Sequence, residues 1–482
     1  MTAEGSGGRE IHDVVGVGYG PAAMAVAAVL EDDYELDPPG HARISAAFLE
    51  RQSSAAWQPN LLLPGTDIQH HFLRDLATPR NPRSRFTFPN YLKETGRLFP
   101  FTLMGNYVTR EEWSQYLLWA AGLLDQDVRY GAEVMEVAPA RTAGAVDLAA
   151  VTYRDSATGE IGRLFGRNVL VSSGHQPYVP AVFTEALGER VLHASEYLPA
   201  IAKFSPAAPL RFAVIGAGQN AGEIFVHLAQ TFPNAQVYLL ARNSGIRMYE
   251  LGHFSNEAYF PDETEYFYAL DSQRRQRVLG EQHATNYSAV DPDLSTIMYR
   301  LVYADRFFGP RRLHVLKRTE VTQVRMSPES VSLCLREVYL DTPGELDVDV
   351  VFVCTGYLEP RPPAFLASFR DFMVTDGSGD PEVTKAHRVV TQPRCQVGLY
   401  LNGITEWRHG INSATSFSTL ALKAERIARD LKHRGDWPNG SEQVRQPPAA
   451  QSGLQDPYAS LKPARGEVRA HDRRPDQDQA LG

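Results

Sequence analysis

Two stretches of the chain pass from an apolar run through a glycine-rich turn into a second apolar run with helical spacing. The first reads Ile11-His12-Asp13-Val14-Val15-Gly16-Val17-Gly18-Tyr19-Gly20-Pro21 and continues through an alanine- and valine-rich segment over 22–30. The second starts at Leu210, reads Arg211-Phe212-Ala213-Val214-Ile215-Gly216-Ala217-Gly218-Gln219-Asn220-Ala221, and continues with helical periodicity over 223–230. A short buried run, then glycines, then a helix predicts strand, tight turn and helix at both places. Two further apolar runs, 46–50 ending at Glu50 and 236–241 followed by Arg242, predict the next strand of each unit. A loop over 32–40 accounts for the late arrival of Glu50.

Between the units lie Pro- and aromatic-rich loops over 59–100, a predicted helix over 110–124 and a return strand over 168–172 ahead of Gly174. Residues 249–305 read mainly as helices and loops. Residues 350–354 predict a buried strand that rejoins the first sheet. From 434 to 482 three Leu and no Ile, Phe or Met stand among many Pro, Gln, Asp and Arg. Such a composition cannot bury a core and predicts a disordered tail. The expected architecture is α/β, with two Rossmann-like dinucleotide-binding domains and a smaller, mainly helical substrate region. Its expected divisions are 1–200 (first nucleotide domain), 205–345 (second, with a substrate segment over 247–305), 346–433 (return to the first) and 434–482 (tail).

The 482 residues hold 48 Lys and Arg against 57 Asp and Glu, a net charge of -9, with no dense basic stripe, which argues against a nucleic-acid partner. Cys334, Cys354 and Cys395 offer neither a disulfide framework nor a CxxC pair, as expected in a reducing compartment. No run approaches about 18 uninterrupted apolar residues and the N-terminus lacks a signal-like apolar core, so a cytoplasmic protein without a membrane span is expected. The adjacent His70 and His71 have no third ligand nearby in sequence, so no metal site is expected.

Glycines let a diphosphate approach the backbone, and the helix that follows supplies free N–H groups and a partial positive charge. Gly16, Gly18 and Gly20, with Pro21 opening the helix, form the first phosphate loop, and Gly216, Gly218, Gln219 and Asn220 form the second. Glu50 suits a ribose 2′-hydroxyl, whereas Arg242 suits the 2′-phosphate of NADP. The pairing implies FAD first and NADPH second.

Further motifs are Leu63-Pro64-Gly65-Thr66-Asp67-Ile68-Gln69, Phe72-Leu73-Arg74-Asp75-Leu76, Phe88-Pro89-Asn90-Tyr91-Leu92, Thr285-Asn286-Tyr287-Ser288, Cys354-Thr355-Gly356-Tyr357 and His409-Gly410. Through them the chain, from about Asp13 to Arg429, resembles the microbial flavin monooxygenases that N-hydroxylate the side-chain amine of ornithine or lysine for siderophore synthesis. The resemblance implies that NADPH reduces FAD, that molecular oxygen forms a C4a-hydroperoxyflavin, and that a neutral amine takes the distal oxygen. It further implies that Asn286 hydrogen-bonds the reacting amine, that Asn256 holds the amino-acid end and that Arg74, in place of a family lysine, pairs with the carboxylate. Ser418 matches a serine near the substrate. Trp57 and Gln69 would lie against the flavin, Arg110 near the cofactor, and Gly356 belongs to a cofactor-side motif. A homo-oligomer is implied, with a tetramer as one arrangement.

Taken without the resemblance, Asn256 and Asn286 read equally as helix caps, Arg74 as a surface partner of Asp75, and Trp57 as core packing. L-ornithine is the first-choice substrate, with L-lysine, putrescine or cadaverine as alternatives, because Arg74 and the 247–257 segment depart from the family pattern. No FxGxxxHxxxW-type stretch suggests a Baeyer–Villiger enzyme. The different-class alternative is a non-catalytic flavoprotein redox sensor.

Overall fold

The computed structural model describes residues 10–36, 43–105, 107–141, 145–413 and 416–434. The expected tail, apart from Arg434, lies outside the described residues.

The first apolar run forms strand Ile11–Val17, inside a seven-stranded sheet in which six strands run in the order Asp127–Tyr130, Ala46–Glu50, Ile11–Val17, Ile161–Val171, Val146–Asp155, Ala132–Arg141, and the seventh, Gly398–Leu401, pairs with Ile161–Val171. Strand Ile161–Val171 changes partner along its length. Its first half pairs antiparallel with Val146–Asp155, and its second half pairs parallel with Gly398–Leu401. The central strands read as continuous apolar runs because both faces are covered. One face packs on helices Pro21–Leu36, Arg110–Leu123 and Leu420–Arg434, the other on a layer that includes Leu366, Phe369 and Trp407.

Helix Pro21–Leu36 carries proline at its first position, where the missing N–H has no intrahelical acceptor in any case. It runs through Asp32, which is buried and accepts hydrogen bonds from Arg80 and Ser84. The expected loop over 32–40 is thus helical as far as Leu36, and residues 37–42 lie outside the described residues. Helix Arg110–Leu123 starts on a Thr109 hydroxyl that accepts the Glu112 N–H at 3.2 Å, with Glu111 and Glu112 in its first turn.

The second apolar run forms Arg211–Ile215, in a five-stranded parallel sheet ordered Leu313–Lys317, Gln236–Ala241, Arg211–Ile215, Val350–Val353, Val191–His193. Here one expectation fails. Val350–Val353 does not rejoin the first sheet; it pairs with Arg211–Ile215 on one side and Val191–His193 on the other. An all-apolar four-residue strand buried on both faces carries no signal that separates one parallel sheet from another. The second sheet therefore draws on residues from 191 to 353, beyond the expected 205–345. An antiparallel trio, Thr319–Met326, Val331–Glu337 and Pro343–Val348, is attached to it. The chain returns to the first sheet through Tyr357–Leu358, paired with Gln176–Pro177, and then Gly398–Leu401.

The 249–305 region is mainly helical: Pro261–Ala269, Ser272–Gln282 and Pro292–Phe308 are its longest elements. Among the described residues no helix is long and apolar enough to cross a membrane, and no three His, Cys, Asp or Glu side chains gather as a metal site.

Candidate active site

A cleft of about 870 Å³ opens at the C-terminal end of the first sheet, bounded by Gly18, Gly20, Glu50, Trp57, His175 and Lys423 among others. Gly18 adopts φ +88°, and a Cβ there would stand 2.4 Å from the Ser172 carbonyl oxygen, so only glycine fits this turn. Around Gly20 a Cβ would meet nothing within 4 Å, leaving open space in front of helix Pro21–Leu36. Glu50, at the end of its strand, accepts the Tyr19 N–H at 2.7 Å and the Gln52 N–H at 2.8 Å. Those two bonds place its carboxylate beside the glycine loop, with lone pairs left for a ribose hydroxyl. Two buried side-chain nitrogens on the cleft wall, His175 Nε2 and Lys423 Nζ, have no hydrogen-bond partner. Open glycine loop, strand-end acid and orphaned nitrogens fit FAD. Trp57 lines the same cleft and meets Phe417 edge-on, ring centroids 6.0 Å apart.

The second loop has the same logic. Gly218 is the N-cap of helix Gln219–Thr231 and has no side chain to satisfy the first-turn N–H groups. A Cβ on Gly216 would lie 2.4 Å from the Cys354 carbonyl oxygen. Asn220 occupies the helix's first turn, and Arg242, one residue beyond strand Gln236–Ala241, is exposed and makes no ion pair among the described residues. That arrangement fits the diphosphate and 2′-phosphate of NADPH.

Two residues expected near the cofactors, Arg110 and Gln69, join elements of the two nucleotide domains. Arg110 is buried, does not border the flavin cleft, and forms a two-pronged pair with Glu223 at 2.8 Å and 2.8 Å. Because Glu223 lies on the helix that follows the second phosphate loop, Arg110 ties that helix to its own. Gln69 donates to Asp291 at 2.9 Å, while Gln219 donates to Glu223 at 2.8 Å and accepts the Asp291 N–H at 2.9 Å. Burial and the neighbouring Asp293 and Asp291 push the Asp67 carboxyl up to about 6. Gly356 adopts φ +82°, and its carbonyl accepts the Tyr178 N–H at 2.9 Å and bonds His193 Nε2 at 3.0 Å, where the chain crosses between sheets.

Packing brings two of the residues expected at the substrate together. Arg74 Nη1 donates to Ser418 Oγ at 2.8 Å. Arg74 is half-buried, burial lowers its pKa, and it has no anionic partner among the described residues. Asp75 is not that partner: it is fully buried and accepts the N–H groups of Ala77, Thr78 and Phe88. Tyr259, which the sequence did not single out, stands within electrostatic reach of Arg74 and donates to the Thr285 carbonyl at 3.1 Å. Burial pushes its hydroxyl up to about 12. Next to Thr285, the Asn286 amide nitrogen is buried without a partner. Asn256, half-buried three residues ahead of Tyr259, donates to the Gly252 carbonyl at 3.2 Å.

Further buried polar contacts shape the walls of the site. Asn412 is buried and donates to the carbonyls of Ala258 and Phe260 and to the Thr264 hydroxyl, fixing the wall that carries Tyr259. Tyr287 donates to Glu406 at 2.9 Å, and the Glu406 N–H reaches Glu359 at 2.7 Å.

Residues 10–359 match the family model described as L-lysine 6-monooxygenase/L-ornithine 5-monooxygenase. The chain belongs to this family. It is an N-hydroxylating monooxygenase with FAD and NADPH sites, for which molecular oxygen is the co-substrate. Among its relatives, the L-ornithine N(5)-monooxygenase of Pseudomonas aeruginosa is 33% identical over 428 residues, 87% of this chain and 94% of the relative. The Kutzneria sp. 744 ornithine N-hydroxylase, solved with reduced FAD, NADP+ and L-ornithine, superposes with TM-score 0.83 at 32% identity, covering 88% of this chain and 100% of that one. The L-lysine 6-monooxygenase of Pseudomonas syringae superposes with TM-score 0.79 at 35% identity, covering 88% and 99%. This N-monooxygenase family thus spans both amino acids weighed from the sequence.

Proposed function

We propose that the protein N-hydroxylates the side-chain amine of L-ornithine: R–NH2 + O2 + NADPH + H+ gives R–NHOH + H2O + NADP+, for a siderophore or a related natural product. Arg74 carries the substrate class. A half-buried guanidinium with a hydroxyl for company and no anion among the described residues fits a ligand that brings a carboxylate. That favours an amino acid over a diamine, which has no carboxylate.

Bound FAD, once reduced by NADPH, would supply the oxygen atom from O2. The chain's residues bind and orient the amine. Arg74 takes the substrate carboxylate while the Ser418 hydroxyl, accepting one guanidinium N–H, fixes the plane of the fork. Asn256 takes the amino-acid end. Asn286 holds the reacting nitrogen, for if its amide oxygen accepts one amine N–H, the nitrogen lone pair stays free to attack. An alkyl amine with an ordinary pKa near 10.4 costs about 4–5 kcal/mol to neutralise at pH 7. Burial of the Asn286 amide in a turn away from water supports a site that favours the neutral form.

L-Lysine is the second reading, because the planar guanidinium of Arg74 sets the carboxylate at a different depth from a lysine ammonium. The deciding experiment measures hydroxylamine formed per NADPH oxidised by FAD-loaded protein with L-ornithine, L-lysine, putrescine and cadaverine. Coupled turnover with L-ornithine is expected. Consumption of NADPH with peroxide as the sole product for every amine would refute the substrate assignment.

A further inference from the structure

Lys423, in the first turn of helix Leu420–Arg434, is 4% exposed, and its ammonium nitrogen has no hydrogen-bond partner. It faces the flavin cleft on the wall formed by Phe417 and Leu420. Phe417 meets Trp57 edge-on, so this wall adjoins Trp57, the residue expected against the flavin. Within electrostatic reach of the ammonium are Glu359, whose Oε2 lacks a hydrogen-bond partner and lies 3.5 Å from Arg361 Nε, and His175, whose Nε2 also lacks one. His387 and His409 feel the charges of both Lys423 and Arg426.

A cation taken out of water without a hydrogen-bonded anion is costly unless a ligand completes it. The diphosphate of FAD already has a helix N-terminus and an open glycine loop. The flavin ring has no such provision, and it gains charge on reduction: FAD + 2e− + H+ gives FADH−. We propose that the Lys423 ammonium faces the flavin ring and binds the negative charge the ring carries once reduced, making reduced FAD the more tightly held form. This rests on the flavoprotein reading above. Burial draws the Lys423 pKa down to about 8, against the opposing pull of Glu359, so the group is still mostly cationic at neutral pH.

The test compares wild type with Lys423→Met by titrating oxidised and reduced FAD into apoprotein and by measuring the two-electron midpoint potential. Affinity for oxidised FAD should stay within about threefold while that for reduced FAD falls about tenfold, lowering the midpoint by about 30 mV. Equal weakening of both forms at unchanged potential would assign the ammonium to the diphosphate and overturn the proposal, as would no change in either form. Should Lys423→Met fail to fold, wild type alone decides. On the acid side of the free cofactor's own ring titration, its midpoint should fall by about 30 mV per pH unit, one proton per two electrons, whereas about 59 mV would overturn the proposal. Failure of wild type to bind FAD at all would refute the flavoprotein reading itself.

Discussion

Arg74 donates to the Ser418 hydroxyl at 2.8 Å, joining two residues 344 positions apart in the chain. The bond holds a half-buried guanidinium in one plane, with no anionic partner among the described residues. A preset fork loses less freedom when a carboxylate arrives than a free side chain would.

Arg74→Ala should therefore raise KM for L-ornithine by roughly 10–100-fold, the value of a charge-assisted pair, with little change in substrate-free NADPH oxidation. Ser418→Ala should cost roughly 3–10-fold, because the charge survives and only its orientation loosens. Steady-state kinetics check both. Equal KM values in the two variants and wild type would remove these residues from the substrate site.

Asn286→Ala should act on coupling more than on binding. Loss of one hydrogen bond at the amine, about 1–1.5 kcal/mol, should cut hydroxylation roughly tenfold and divert oxygen to peroxide. Product and peroxide are counted against NADPH consumed. Full coupling in the variant would show that the unpaired amide serves another purpose.

Arg242 is exposed and free of ion pairs among the described residues, at the end of the strand that follows the second phosphate loop. Arg242→Ala should raise KM for NADPH roughly 10–100-fold and leave NADH kinetics nearly unchanged. A parallel loss with both nucleotides would mean a structural role.

Burial raises the Glu359 carboxyl from 4.5 to about 7, with the Glu406 N–H and Arg361 opposing the shift. Its side chain is 5% exposed. A raised pKa means the folded state holds the proton more tightly, so this stability is present below 4.5 and is lost as pH rises through 7. The loss is at most about 3 kcal/mol, at 1.36 kcal/mol per unit. Glu359→Gln keeps an acceptor for the Glu406 N–H and removes the titration, so the variant should gain thermal stability relative to wild type between pH 5 and 8. Parallel melting profiles across that range would contradict a buried, proton-holding Glu359.

Neighbouring residues alone encode what local rules can enforce. Glycines at 16, 18 and 20 and at 216 and 218 enforce two strand-to-helix turns, because a Cβ at Gly18 or Gly216 would collide with a carbonyl oxygen 2.4 Å away. The acid at 50 and the cation at 242 follow directly from where their strands end. Family motifs around Arg74, Asn286 and Gly356 were also legible. Tertiary structure decided the rest. Val350–Val353 chose the second sheet, because a short apolar strand buried on both faces fits either one and only packing selects its neighbours. Arg110 met Glu223, since a buried guanidinium pairs with whichever carboxylate the fold brings to it. The meeting of Arg74 with Ser418, Tyr259 with Thr285 and Lys423 with the cleft depends on segments brought together from distant parts of the chain. No pattern of neighbouring residues records such contacts, because they are made by the packing of whole elements on one core.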